Sequence, residues 1–214
     1  MVRKKQIMID YALKQEQVFN DPDKFKSFLK TLNFKDLILE VGCGKGAYVR
    51  ELALRNPNNL YIGIDVKADR LGYAVKIALE DNLENVIFLN VSANTIEDFF
   101  TENSIDQIWI TFADPHPKPS KAKKRLTHEN FLKTYFKILK NEGIINLKTD
   151  SDLLYNFSKE EFDKFSGIDM VKDISDLYDS EFKDDALLSI KTPFEIKHLK
   201  NNLTIKYVKA IIRK

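Results

Sequence analysis

Short apolar runs alternate along this chain with stretches in which apolar positions recur every three or four residues. The runs read as buried strands and the periodic stretches as helices with one apolar face. After a polar arm, Asp21-Pro22 opens a helix, with proline in the first turn and Phe25, Phe28, Leu29 and Leu32 on one side. Leu37–Val41 predicts a strand that ends in glycines, residues 48–55 a helix stopped by Asn56-Pro57, and Leu60–Ile64 a second strand. Leu71, Ala74, Val75, Ala78 and Leu79 form the next helix face, followed by strands over 86–91 and 105–112. Thr127 is placed to cap a helix running through Leu139, with Leu126 and Phe131 as a hydrophobic staple and Gly143 in its C-terminal turn. Residues 144–147 read as a fifth strand and 153–165 as a helix. Residues 170–174 and 203–212 read as two late strands with no clear helix between them.

Strands alternating with helices imply a parallel sheet covered on both faces, and the two late strands imply an antiparallel pair near the C-terminus. The expectation is an α/β, Rossmann-like, doubly wound sheet of seven strands. With 214 residues, 43% of them hydrophobic, the chain suits one core and one domain. Within it, residues 1–35 form the arm and lead-in helix, 36–150 a cofactor-binding core, and 151–214 a part that completes the sheet and binds substrate.

Composition narrows the setting. Cys43 is the sole cysteine, so no internal disulfide forms, and His116, His128 and His198 stand at no zinc spacing. A reducing compartment and no structural metal follow. The basic start Met1-Val2-Arg3-Lys4-Lys5 runs into Asp10, Lys14 and Glu16 rather than an apolar signal core, which points to the cytoplasm. No apolar run approaches the ~20 residues a membrane helix needs. A net charge of +2, from 34 Lys and Arg against 32 Asp and Glu, argues little for a nucleic-acid partner, so any such case rests on local clustering.

In an open parallel sheet, ligands bind outside the carboxyl ends of the strands. The polar residues there are Glu40, Asp65, Ser92 with Asn94, Asp114 and Asp150, one set for each of the five parallel strands. Gly42, Gly44 and Gly46 let the loop after the first core strand turn sharply and approach a ligand closely. Asp65, at the end of the next strand, is placed for ribose hydroxyls, as in dinucleotide enzymes and methyltransferases alike. Charge separates the two. A pyrophosphate would be repelled by Glu40, two residues before the first glycine, whereas S-adenosylmethionine carries an ammonium and a sulfonium and no phosphate. The spacing G-x-G-x-G, rather than G-x-G-x-x-G, leans the same way.

The loop after the fourth strand reads Ala113-Asp114-Pro115-His116-Pro117-Lys118-Pro119-Ser120 and then becomes strongly basic, with Lys121, Lys123, Lys124 and Arg125. Its prolines stiffen the backbone and fix where Asp114 points. A charge run is usually a solvated face, but next to a rigid acidic loop at the active edge, phosphate contact is the better reading. His116 reads as a packing or stacking residue rather than a general base, and Trp109 as core.

These motifs together resemble the bacterial tRNA (guanine-N7-)-methyltransferase family. The resemblance is carried by Glu40-Val41-Gly42-Cys43-Gly44-Lys45-Gly46, Tyr61 to Asp65, Asn90 to Thr95, the D-P-H-P-K loop with K-R-L after it, Lys148-Thr149-Asp150, and Thr192-Pro193-Phe194-Glu195. It implies that Glu40, Gly42, Gly44, Asp65, Ser92 and Asp114 bind S-adenosylmethionine. It makes Asp114 the catalytic residue and assigns Lys118, Asp150, Thr192, Pro193, Phe194 and Glu195 to the tRNA substrate, methylated at guanine 46 of the variable loop. The chain departs from the family pattern where Asp65 replaces a glutamate, Ser92 an aspartate, and His116 a tryptophan. A monomer or homodimer needing no protein partner is expected. The alternatives are a methyltransferase of an exocyclic amino group on adenine or cytosine in RNA or DNA, a catalytically inactive RNA-binding relative, and a small-molecule methyltransferase. Pro117, standing where the exocyclic-amino enzymes place an aromatic residue, argues against the first.

Overall fold

The structure, a computed structural model, describes residues 2–214. One sheet organises it. Strands β1 (Val18–Phe19), β2 (Leu37–Val41), β3 (Leu60–Ile64), β4 (Val86–Leu89), β5 (Ile105–Thr111), β6 (Leu139–Thr149), β7 (Ile168–Ile174) and β8 (Lys206–Ile212) lie in the order β1-β4-β3-β2-β5-β6-β8-β7. All pairings from β1 to β6 are parallel, while β8 runs antiparallel between β6 and β7. The doubly wound sheet with its antiparallel C-terminal pair is as expected, but it has eight strands rather than seven. The extra one is the two-residue β1, too short to show as an apolar run, which pairs Val18 and Phe19 with Phe88 and Leu89.

Helices α1 (Val2–Ala12), α2 (Pro22–Leu29), α3 (Ala47–Arg55), α4 (Ala68–Glu80), α5 (Glu129–Ile138), α6 (Asp152–Lys164) and α7 (Pro193–Lys200) surround the sheet. Strand residues alternate between two cores. Leu37, Leu39 and Val41 face the one built with α2, α5 and α6, and Ile38 faces the one built with α3 and α4. Trp109 lies in the second core between Tyr48 and Tyr207, as core rather than as a stacking platform. Asp21 caps α2 as expected, accepting hydrogen bonds from the Asp23 and Lys24 amides at 3.0 Å.

Four local expectations change. The polar arm is instead helix α1, which buries Met8 and Ala12 against α4. Gly72 makes that contact possible, since a Cβ there would lie 2.2 Å from the Met8 carbonyl oxygen. His128, not Thr127, caps α5, its Nδ1 accepting the Asn130 amide at 3.2 Å, while Thr127 is buried with its hydroxyl 2.7 Å from that of Ser158. With the cap moved one residue on, Leu126 and Phe131 no longer stand in staple register. Gly143 lies inside β6, which begins directly at Leu139 and bulges between its pairings with Ile105 and Gln107. Finally, a helix does form between the late strands. Thr192 and Glu195 make a reciprocal capping box with Pro193 in the first turn of α7.

Candidate active site

The strand order reverses at β2, with β3 on one side and β5 on the other, which opens a crevice at the carboxyl ends. A cleft of about 530 Å³ lies there, walled by Gly42, Asp65, Ser92, Asn94 and Asp114 together with His116, Lys123 and Lys124. Three strands, β3, β4 and β5, therefore bring sequence-derived polar groups to one place, and β2 adds Gly42. Ser92 and Asn94 share a wall, the Asn94 amide donating to the Ser92 hydroxyl at 3.3 Å.

Glu40 sits beneath the glycine loop rather than in the cleft wall. It is buried, accepting the Val49 amide at 2.9 Å at the start of α3 and the Thr111 hydroxyl from β5. Burial raises its carboxyl from an ordinary 4.5 to about 7, against the pull of those two hydrogen bonds, and nearby Asp65 adds to the rise. Above the loop, Asp65 accepts the Gly44 amide at 2.9 Å on one oxygen and the Lys67 amide at 2.8 Å on the other. Gly44 has φ +58 and open space where a Cβ would stand, but it lies outside the cleft wall with its amide held by Asp65.

Beyond β5, the aspartate loop departs from ordinary geometry. Phe112 and His116, on either side of Asp114, have φ of 49 and 43, a region that L side chains disfavour. The His116 amide closes the turn on Asp114 Oδ1 at 2.9 Å, and the Asp114 side chain is 69% exposed. The basic segment that follows winds into a 3₁₀ turn, Pro119–Lys124. Lys118, Lys121, Lys123 and Lys124 are exposed, Lys118 outside the cleft wall and Lys123 and Lys124 within it. Arg125 is the exception to the expected phosphate-binding run. It is buried, donating to the Pro115 carbonyl at 3.0 Å and the His116 carbonyl at 3.1 Å, with the Phe157 ring 4.4 Å from its guanidinium carbon.

The remaining expected residues gather beside the cleft rather than in it. Asp150, at the end of β6, places Oδ2 2.8 Å from His198 Nδ1 of α7. The His198 ring stands edge-on to Phe112 of the cleft wall, 6.4 Å between centroids. Thr192 is buried and Phe194 exposed. Glu195, expected to face the substrate, is instead wholly buried. Its Oε1 lies 2.7 Å from Lys148 Nζ and 2.6 Å from the Tyr178 hydroxyl, and its Oε2 receives the Thr192 amide of the capping box. Lys148 also donates to the Leu188 and Ile190 carbonyls at 2.6 and 2.9 Å. Burial lowers its ammonium pKa and the Glu195 carboxylate works to restore it. This buried pair ties the segment from Tyr178 to α7 onto the end of β6.

Sequence reasoning missed Val66, Lys67 and Arg70 in the cleft wall. Their signal was available, because they follow Asp65 at the N-terminal turn of α4, the position where strand-to-helix loops meet ligands.

Fold and cleft define the chain as an α/β methyltransferase. The family model described as "Putative methyltransferase" matches residues 35–208. Solved structures share the fold: the 16S rRNA methyltransferase KamB at TM-score 0.64 and 13% identity, covering 92% of this chain and 95% of that one, and an rRNA methylase from Streptococcus thermophilus at TM-score 0.58 and 11% identity, covering 92% and 99%. Within that class, the chain belongs to the tRNA (guanine-N7-)-methyltransferase family. It is 38% identical over 181 residues to the member from Christiangramia forsetii, covering 85% of this chain and 80% of that protein. With the member from Streptococcus uberis it shares 36% over 197 residues, 91% of each. Among the described residues, no helix is long and apolar enough to cross a membrane.

Proposed function

We propose that this chain transfers a methyl group from S-adenosylmethionine to N7 of a guanine in tRNA, at position 46 of the variable loop. The observation that carries the reading is the placement of exposed Asp114 at the lip of one cleft that also holds Asp65 and Lys123 and Lys124. The residues fit the methyl donor. Gly42, Asp65, Ser92 and Asn94 line the cleft, Asp65 has lone pairs for ribose hydroxyls, and buried Glu40 holds beneath the loop a carboxyl that a bound cation would ionise. When bound, S-adenosylmethionine supplies an electrophilic methyl on a cationic sulfur.

Guanine N7 carries an in-plane lone pair and loses no proton on attack, so the chain's task is alignment. Holding nucleophile and methyl in line supplies about 7 kcal/mol or more of the barrier in good cases. Asp114 accepts hydrogen bonds from the guanine N1 and N2 edge, orients the ring, and stabilises the positive charge that develops on it. Helical RNA hides N7 in a deep, narrow groove, so the base comes from a loop or is displaced, and Lys118, Lys123 and Lys124 meet the phosphates that accompany it. Asp150 and Phe194 stand on the same side for the substrate, while Thr192, Pro193 and Glu195 serve by building the helix that presents them.

The test is incubation with unmodified tRNA and labelled donor, followed by mapping of the methyl. Asp114→Ala is expected to abolish transfer while donor binding persists. Near-normal turnover of that variant removes the aspartate from the mechanism, and a methyl found on an exocyclic amine overturns the N7 assignment.

A further inference from the structure

We propose that Arg125 is the positioning residue of the aspartate loop: its guanidinium fork holds the turn that presents Asp114, and it makes no phosphate contact. The inference deepens the function proposed above and rests on it. In sequence, Arg125 closes a basic run whose lysines are all exposed. In space it alone is buried, and among the described residues no carboxylate stands within ion-pair distance of it. A buried cation whose partners are neutral carbonyls is unfavourable unless geometry is gained in return.

The geometry gained is that of Asp114. Nε donates to the Pro115 carbonyl and a terminal nitrogen to the His116 carbonyl, so two adjacent peptides immediately after the aspartate are fixed by one planar group. Those peptides need fixing. His116 is held left-handed at φ 43 and Phe112 at φ 49, neither a glycine, and the His116 amide in turn fixes Asp114 Oδ1. The Phe157 ring of α6 backs the guanidinium, which anchors the loop to that helix. A lysine carries a single ammonium and cannot reproduce the fork.

The experiment compares Arg125→Lys, which keeps the charge, with Arg125→Gln, which removes it. Both are expected to lower kcat about 100-fold, the effect of a ~1 Å misplacement, with the KM for tRNA, its salt dependence and donor affinity unchanged. His116→Asn, a residue that tolerates the left-handed region, is expected to recover about ten-fold of the loss in the Arg125→Lys background. Tryptic cleavage after Lys121 should accelerate in Arg125→Lys and in the milder Phe157→Leu, a readout independent of activity. Near-normal kcat in Arg125→Lys, with Arg125→Gln weakening tRNA and reducing the salt slope by about one, makes Arg125 a phosphate ligand and overturns the proposal. Unchanged cleavage in both Arg125→Lys and Phe157→Leu overturns it as well. A wild-type chain that leaves tRNA unmethylated sinks the functional reading instead, and the cleavage comparison still decides the clamp.

Discussion

Glu40→Gln separates the energetics of the glycine loop from its geometry. The carboxyl of Glu40 is buried between the Val49 amide and the Thr111 hydroxyl, and burial lifts its pKa from 4.5 to about 7. Its folded pKa is raised above its unfolded one, so the protonated form contributes stability that is fully present below about pH 4.5 and is lost as pH rises through 7. A shift of this size, at about 1.4 kcal/mol per pH unit, corresponds to roughly 3 kcal/mol. The glutamine variant has nothing to ionise. The difference in unfolding free energy between wild type and variant, measured by denaturant titration without donor at a series of pH values, should therefore swing by roughly 3 kcal/mol between pH 4 and 8, with wild type losing ground. A cationic ligand placed over this carboxylate restores the ionised form. Donor binding near pH 7 should then release a fraction of a proton in wild type and none in the variant, read by calorimetry in buffers of different ionisation heat. A difference curve flat to about 0.5 kcal/mol, well under the shift predicted by linkage, refutes the reasoning.

Three further outcomes follow from the same structure. Lys148→Ala leaves Glu195 buried and unpaired and should cost about 3–5 kcal/mol, whereas the paired change Lys148→Met with Glu195→Leu should cost clearly less by denaturant titration; equal losses would show that charge is not the issue. Gly72→Ala drives a Cβ into the Met8 carbonyl and should cost about 1–3 kcal/mol, with hydrogen exchange accelerating in α1 while α4 stays protected; unchanged exchange in α1 rejects the close approach. Among the described residues the buried Tyr135 hydroxyl has no partner, so Tyr135→Phe should raise stability by about 1 kcal/mol, and a loss would mean that the hydroxyl is satisfied after all.

The sheet was legible because its strands are buried on both faces and show as continuous apolar runs, of which Leu37–Val41 and Leu60–Ile64 keep their sequence-derived limits. The cleft was legible for a related reason, since residues that end such runs share an edge of the sheet, and Asp65, Ser92, Asn94 and Asp114 meet there. What escaped depended on tertiary partners that the local pattern does not announce. Arg125 looks like its lysine neighbours in sequence, and only the carbonyls of Pro115 and His116 with the ring of Phe157 bring it inside. Glu195 has the appearance of a surface acid until Lys148, from β6, is placed beneath it. Helix α1 was obscured by its charges, although Met8, Tyr11 and Ala12 stand at helical spacing and find Gly72 opposite. Helix α7 is a different kind of miss. Thr192-Pro193-Phe194-Glu195 is a capping-box signature with proline in the first turn, and its likeness to a substrate motif drew attention away from its local geometry.

The insertion of β8 between β6 and β7 carries a consequence for how the molecule comes into being. As the chain is synthesised, β7 emerges before β8, the strand that pairs with it, while every pairing among β1 to β6 is already available. The parallel part of the sheet, with the cleft at its carboxyl edge, can thus assemble first. Strand β8, the last to appear, then closes pairings with β6 and β7 that are distant in sequence and correspondingly slow. A growing chain of this kind completes the edge that carries Gly42, Asp65, Ser92 and Asp114 before the strand that locks its C-terminal part in place.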